Sequence, residues 1–173
     1  NDTEINRLGV SVFMTEQQAR ENELRGTQAA IEDAGALGVM TAFNRVGITA
    51  ANAHTGLLKN ILRGEWGFKG LESQDFIMNP NYAVLKEYAL NGGTMTTFTG
   101  ENTMAAVSEK FAYWTTENVG QDTELMSAIK QAMTWQAYAL ANSNALDGMA
   151  SSTRLVSVRT WYDNALTGVQ VVF

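Results

Sequence analysis

Several chemistries are excluded by what the chain lacks. Cysteine is absent from its 173 residues, so disulfides, thiolate nucleophiles and cysteine-ligated metals are excluded. The single histidine, His54, rules out a histidine-rich metal site. Gly92 and Gly93 are not followed by the Lys-Ser or Lys-Thr pair of a phosphate-binding loop. We therefore expect neither a metal nor a cofactor.

Positive charge is also scarce. Twelve Lys and Arg residues stand against 18 Asp and Glu residues, giving a net charge of -6 and a pI of about 4.8. Nucleic-acid binding depends on neutralisation of phosphates by Lys and Arg, so we expect no nucleic-acid partner. Hydrophobic residues make up 45% and charged residues 17% of the chain, which is typical of a packed globular fold.

Long apolar runs are missing as well. None reaches the length of a membrane span, and residues 1–4 show no apolar leader. The last residues are apolar, namely Val169, Val171, Val172 and Phe173, whereas a soluble terminus is usually polar. We expect the chain to be cut before something more hydrophobic. The compartment stays open, and an extracytoplasmic or membrane-anchored parent protein is one option.

Helices and strands are predicted to alternate through the first hundred residues. The predicted helices cover residues 16–34, 55–64, 79–89, 104–114 and 124–144, and the predicted strands cover residues 37–43, 71–76 and 94–98, with a loop over 44–52. Thr15 and Gln18 form a capping-box pattern before the first helix, and Gly35 follows it. Such alternation indicates parallel strands joined by helical crossovers.

Two helical core stripes follow from the spacing. The first is Ala19, Leu24, Thr27, Ile31 and Ala34; the second is Leu125, Ile129, Met133, Gln136 and Leu140. The predicted fold class is α/β, a partial barrel-like fragment with about three parallel strands and five to six helices. Three strands cannot close a barrel. We therefore interpret residues 1–148 as a piece of a larger barrel domain and residues 149–173 as a tail or linker.

Three blocks of sequence occur in an order typical of one enzyme family. They are VMTAFNRVG at 39–47, GLLKNILRGEWGFKG at 56–70, and Asp75, five residues after Gly70. NDTE at 1–4 and the stretch 89–100 add weaker matches, with Asn91 and Thr94 as departures. Together these blocks resemble glycoside hydrolase family 3, which includes β-glucosidases.

The resemblance implies the last units of a (β/α)₈ barrel in a retaining exo-β-glycosidase. It implies that Asp75 is the catalytic nucleophile and that Phe43, Asn44 and Arg45 contact the sugar. The expected substrate is a β-linked oligosaccharide or glucoside. The acid/base residue and the other half of the barrel are then expected from missing parts of the parent, and the isolated chain is expected to be inactive. Asp75 also falls at the end of a predicted strand, where barrel active sites lie.

Two residues depart from the family pattern and leave alternatives open. Glu72 and Gln74 place polar side chains on the helix-facing side of a strand, which is costly unless they are paired. We therefore expect the strand to be shifted, exposed or distorted, and Glu72 to be solvated or salt-bridged. A non-catalytic carbohydrate-binding or interaction module is the alternative function, and a β-N-acetylhexosaminidase is a narrower option. Exposed sheet edges of a cut barrel also predict a homodimer or a swapped assembly.

Overall fold

The computed structural model describes residues 9–42, 44–76, 84–97, 112–145, 154, 156 and 160–162. Several predictions lie outside these residues. They concern residues 1–4, Phe43, the start of the helix predicted at 79–89, the end of the strand predicted at 94–98, most of the helix predicted at 104–114, and most of the tail at 149–173.

Two parallel strands form the centre of the fold. Strand β2 is Gly38–Thr41 and strand β5 is Leu71–Gln74, and they pair in register from Gly38 with Leu71 to Thr41 with Gln74. Both strands were predicted, over 37–43 from a short apolar run and over 71–76, and both are confirmed with tighter bounds. Because the strands are parallel, their carboxyl ends meet at one edge of the sheet.

A third strand position is reduced to one bridge in the described residues. Met95 pairs in parallel with Ser73, and the N–H of Met95 donates to the carbonyl of Glu72 over 3.0 Å. The helix α3, Leu85–Leu90, precedes this strand position in the chain. The three strand positions and their helices make the chain a partial (β/α) barrel fragment.

The crossover between β2 and β5 is more structured than predicted. Strands β3 (Arg45–Val46) and β4 (Thr49–Ala50) form an antiparallel hairpin, and β3 pairs in parallel with β1 (Ser11–Val12). The prediction of a loop over 44–52 is therefore wrong. The hairpin turns at Gly47, whose φ of 59° suits glycine.

Wide helical turns follow the hairpin. After a 3₁₀ turn at Ala51–Ala53, the helix π2 spans Gly56–Glu65. His54 caps it, since its Nδ1 accepts the N–H of Leu57 over 3.2 Å.

The first predicted helix is divided into three segments. They are α1 (Glu16–Gln18), the wide-turn segment π1 (Ala19–Glu23) and α2 (Arg25–Glu32). Thr15 Oγ1 accepts the N–H of Gln18 over 3.1 Å, which confirms the predicted N-cap. Of the predicted core stripe only Ile31 is buried; Ala19 and Leu24 are half-buried, and Thr27 and Ala34 are exposed.

Two helices close the described part of the fold. They are α4 (Thr116–Gln121), which was not predicted, and α5 (Thr123–Ala141), which was. Leu125 on α5 is fully buried, whereas Met133 and Leu140 are 62% and 49% exposed, so the predicted stripe is wrong at those positions. No helix of the described ranges is long and apolar enough to cross a membrane.

The core lies between the β2–β5 sheet and its helices. Leu58 and Leu62, one turn apart on π2, pack with Ile31, Phe68 and Tyr88. The turn into β5 needs glycine at one point. A Cβ on Gly70 would lie 2.3 Å from the carbonyl oxygen of Leu37, immediately before β2.

Arg63, in the last turn of π2, bonds the turn before β5 and the turn after α3 and contacts helix α5. Its guanidinium donates to the carbonyls of Phe68 and Gly70, each over 2.9 Å, and to that of Gly92 over 2.8 Å. The guanidinium carbon also lies 3.9 Å from the centre of the Trp135 ring on α5. Burial lowers the pKa of Arg63 to about 10, which leaves it charged at neutral pH.

Replacing Arg63 should therefore weaken the whole fold. Arg63→Met keeps an apolar stem but leaves three carbonyls without their charged donor, so we expect the free energy of unfolding to fall by about 2–4 kcal/mol. The measurement is chemical denaturation. Arg25→Met is the matched control, because Arg25 is exposed and bonds only the exposed Gln28 among the described contacts. A loss at Arg63 no larger than at Arg25 would contradict this role.

Candidate functional site

Asp75 directly follows the C-terminal end of β5. Its backbone N–H donates to the carbonyl of Thr41, the last residue of β2, over 2.8 Å. Its carboxylate Oδ1 accepts the backbone N–H of Phe76, also over 2.8 Å. Asp75 is half-buried. The structure thus places a carboxylate at the edge where the carboxyl ends of two parallel strands meet, as the sequence predicted; its role stays a prediction.

The two faces of β5 carry different chemistry. Since side chains alternate along a strand, Ser73 and Asp75 share one face, and Glu72 and Gln74 share the other. Ser73 Oγ lies 3.4 Å from Thr97 Oγ1 on the first face. The second face packs against the helices. Glu72 therefore projects away from Asp75 and is not placed to act with it as a second catalytic carboxyl group.

Asn44 and Arg45 line a cavity of about 220 Å³ that begins at the end of β2. The Asn44 carbonyl accepts the N–H of Ala51 over 2.9 Å, and Arg45 Nη1 donates to the Ile48 carbonyl over 3.0 Å. Asp75 does not line this cavity, although its bonded neighbour Thr41 does. The structure thus brings two of the predicted sugar contacts together and leaves Asp75 beside them. The third, Phe43, lies outside the described residues.

Glu72 is completely buried, with 0% of its surface exposed. Its Oε1 accepts a hydrogen bond from the hydroxyl of Thr41, and its Oε2 has no partner in the described part of the chain. The expectation that Glu72 is solvated or salt-bridged is therefore wrong. The strand is regular and tightly paired rather than shifted or exposed, because the neighbouring elements supply partners for part of each polar side chain.

Gln74 is buried in the same way. Its Oε1 accepts from Asn52 Nδ2 over 2.6 Å, and its Nε2 has no partner among the described residues. The hydroxyl of Tyr88, on α3, accepts the backbone N–H of Gln74 over 3.1 Å and lies 2.9 Å from the Met95 carbonyl, to which it can donate. Tyr88 thereby ties the end of β5 to the neighbouring strand position.

Burial dominates the electrostatics of this polar layer. It raises the pKa of Glu72, against the opposing effects of the Thr41 hydroxyl and the Arg63 charge. It also raises the pKa of Tyr88, and the nearby charge of Glu72 acts in the same direction. Tyr88 is therefore a neutral hydrogen-bonding group at physiological pH.

No cluster of three or more His, Asp or Glu side chains able to hold a metal occurs in the described ranges. The chemistry available at the strand edge is that of one carboxylate, Asp75, which can act as a nucleophile or as a base.

Sequence reasoning found part of this arrangement and missed the rest. The alternation along β5 marked Glu72 and Gln74 as unusual. Periodicity alone places Tyr88 among the apolar residues of a helix, and nothing in the sequence tells which backbone groups its hydroxyl bonds. Arg63 lies inside the sequence block at 56–70, but its three carbonyl acceptors come from two separate turns, which residue spacing does not reveal.

Comparisons with known proteins agree with the sequence resemblance. Residues 6–91 match the family described as the glycosyl hydrolase family 3 N-terminal domain. β-Glucosidase B of Emericella nidulans is 42% identical over 76 residues, which cover 44% of this chain and 9% of that protein. Probable β-glucosidase J of Aspergillus fumigatus is 41% identical over the same length and shares. The matched part thus spans less than a tenth of these relatives.

A solved structure shows the same fold. β-Glucosidase 3B from Thermotoga neapolitana, in complex with glycerol, superimposes with a TM-score of 0.66 at 22% identity, covering 86% of this chain and 20% of that one. At this identity the likeness concerns the fold alone. It agrees with a partial (β/α) barrel fragment.

Loss of the Tyr88 hydroxyl should destabilise the end of β5. Tyr88→Phe removes one of the two acceptors of the Gln74 N–H, the Met95 carbonyl being the other, and also removes the hydroxyl that donates to the carbonyls of Glu72 and Met95. We therefore expect unfolding to become easier by about 1–3 kcal/mol. Tyr138→Phe is the control, because Tyr138 is 42% exposed and should change stability by less than about 0.5 kcal/mol. Thermal and chemical denaturation would measure both. Equal stability of the two variants would show that the Tyr88 hydroxyl is unimportant.

Proposed function

We propose that the chain is part of a retaining β-glucosidase, on the premise that it is a member of glycosyl hydrolase family 3, as the match over residues 6–91 and the β-glucosidase relatives support. The observation that carries this proposal is the position of Asp75 directly after β5, bonded through its N–H to the end of β2. Active sites of (β/α) barrels lie at this edge.

Asp75 is the nucleophile in this proposal. Its carboxylate attacks the anomeric carbon of a terminal β-linked sugar while the glycosidic C–O bond breaks and the leaving oxygen takes a proton from a general acid. The group that acted as the general acid then removes a proton from water, which attacks the glycosyl–enzyme. The sugar is released, and the carboxylate of Asp75 is restored. The substrate class is a β-linked oligosaccharide or glucoside.

Asn44 and Arg45 are proposed to bind sugar hydroxyls, together with Phe43. Their place in the cavity at the end of β2 supports this role, because the cavity adjoins Thr41, which bonds Asp75. Amide and guanidinium groups are suitable donors to hydroxyl oxygens.

The second carboxyl group is proposed to come from the rest of the parent protein. Retaining glycosidases place their two carboxyl groups about 5–5.5 Å apart, and Glu72 is directed to the opposite face of β5. We propose that residues 1–148 supply the last units of the barrel, that residues 149–173 link to a downstream region, and that the missing barrel half and an acid/base domain complete the site. The isolated chain is then inactive.

A non-catalytic carbohydrate-binding or protein-interaction module derived from the same family is the second candidate. The buried Glu72 and Gln74 favour it, because they place an unusual polar layer directly behind the proposed nucleophile. In that case the cavity at Asn44 and Arg45 would bind a glycoside without cleaving it.

Asp75→Asn in the full-length parent should separate the two candidates. Asn cannot form the ester intermediate, so we expect hydrolysis of a chromogenic β-glucoside to fall by about 10³-fold or more, with folding unchanged. Asp33→Asn, at the exposed end of α2, is the matched control and should keep full activity. Activity retained in the Asp75 variant would refute the nucleophile, and an inactive wild-type parent that still binds glycosides would favour the module.

The isolated chain should also associate. Met40, in the middle of β2, is 64% exposed, and β2 pairs with β5 alone among the described strands. An open strand edge beside exposed apolar surface promotes pairing with another chain. Light scattering should therefore show a homodimer or a swapped assembly. A single monomeric species at high concentration would contradict this expectation.

A further inference from the structure

Among the described residues, the carboxyl group of Glu72 has fewer hydrogen-bond partners than an ionised carboxylate requires. A carboxylate offers about four acceptor sites. At Glu72 one oxygen receives the Thr41 hydroxyl, and the other receives nothing from the described residues, although the residue is 0% exposed. A neutral carboxylic acid has a smaller need for partners than its ionised form.

The charged and titratable neighbours do not remove this deficit. Arg63 faces Glu72 from π2 and attracts a negative charge, but its guanidinium is committed to the carbonyls of Phe68, Gly70 and Gly92, and it makes no ion pair with Glu72 among the described contacts. Tyr88 faces Glu72 from α3 and is neutral, as its raised pKa shows. Its hydroxyl opposes the rise in the pKa of Glu72, as the Thr41 hydroxyl does, but burial has the larger effect.

The remaining neighbours of Glu72 do not titrate. β2 contributes Thr41, and the segment after α3 contributes Thr94, whose Oγ1 accepts the N–H of Glu72 over 2.8 Å. A change in the charge of Glu72 is therefore not cancelled by a second group in this layer.

We propose that the carboxyl group of Glu72 is a pH-sensitive switch. Strand β5, which leads to Asp75, is firmly packed when this group is neutral and loosened when it is ionised. The proposal concerns the chain itself and does not depend on its enzymatic activity.

The contacts give a path from Glu72 to the proposed site. Its acceptor oxygen holds the Thr41 side chain, and the Thr41 carbonyl accepts the N–H of Asp75. Its own carbonyl accepts the N–H of Met95, which joins β5 to the next strand position. Ionisation of Glu72 would thus place a poorly solvated charge between both neighbours of β5, at the edge where Asp75 lies.

The sign of the pH dependence follows from linkage. Burial raises the pKa of Glu72 in the folded chain above the ordinary value of 4.5 that it returns to on unfolding. The stability contributed by the neutral form is therefore fully present below pH 4.5 and is lost as the pH rises toward the folded-state pKa. Carboxylates with lowered pKa values, such as Asp122 and Glu65, act with the opposite sign and below this window.

The test compares the full 173-residue chain with its Glu72→Gln variant by chemical denaturation at a series of pH values from 4.5 to about 8. Gln has nearly the same shape and no charge. At the lowest pH we expect the two chains to have similar free energies of unfolding. Above it, the unfolding equilibrium constant of the wild type should rise relative to the variant by up to about tenfold per pH unit, until the folded-state pKa is passed.

Glu87→Gln is the matched control, since Glu87 lies on the exposed side of α3, and its curve should run parallel to the wild type. Parallel curves for wild type and Glu72→Gln would overturn the proposal. Should the Gln variant not fold, the infrared band of protonated carboxyl groups in the wild type decides. A band that persists above pH 4.5 and then titrates supports the switch, and its absence there overturns it.

Discussion

Burial of two polar side chains behind β5 is the constraint on which the rest of the structure depends. Glu72 and Gln74 are almost entirely removed from water, and unpaired polar groups in such a place cost several kcal/mol. Thr41 from β2 and Asn52 from the 3₁₀ turn therefore bond these side chains, and Tyr88 from α3 bonds the backbone of the same two residues. These bonds fix the strand between the sheet and the helices, and Asp75 is held at its end.

The two faces of β5 carry different kinds of side chain. Its helix-facing side carries the polar layer, and its other side carries Ser73 and then Asp75. Arg63 also stabilises the strand, since its guanidinium bonds three carbonyls and so joins the turn before β5 to the turn after α3. A rigid strand with a reactive group at its carboxyl end is the general plan of (β/α) barrel sites, and the fragment retains that plan around one strand.

Local sequence signals predicted the elements whose causes are local. The Thr15 cap, the strands before Thr41 and Gln74, the helix after His54 and the position of Asp75 at a strand end all follow from neighbouring residues. The hairpin at Arg45–Ala50 was missed because each of its strands has only two residues, too few for any periodicity. The exposure of Met133 and Leu140 depends on what packs against α5, which spacing cannot specify.

The polar layer was the hardest feature to predict from the sequence. Alternation along β5 identified the side of Glu72 and the cost of burying it, yet predicted distortion or solvation. The partners come from residues 31 positions before it and 16 positions after it, at Thr41 and Tyr88, so their convergence is a tertiary property. Family resemblance likewise nominated Asp75 but gave no information about a position at which this chain departs from the family.

Covalent trapping tests the central claim most directly. The full-length parent would be incubated with an activated 2-deoxy-2-fluoro-β-glucoside, which slows breakdown of a glycosyl–enzyme, and the labelled peptide identified by mass spectrometry. If β5 presents Asp75 as the nucleophile, the label will be found on the peptide that contains Asp75 and will be absent from the Asp75→Asn protein. A label on another carboxylate, or turnover without any trapped intermediate, would contradict it.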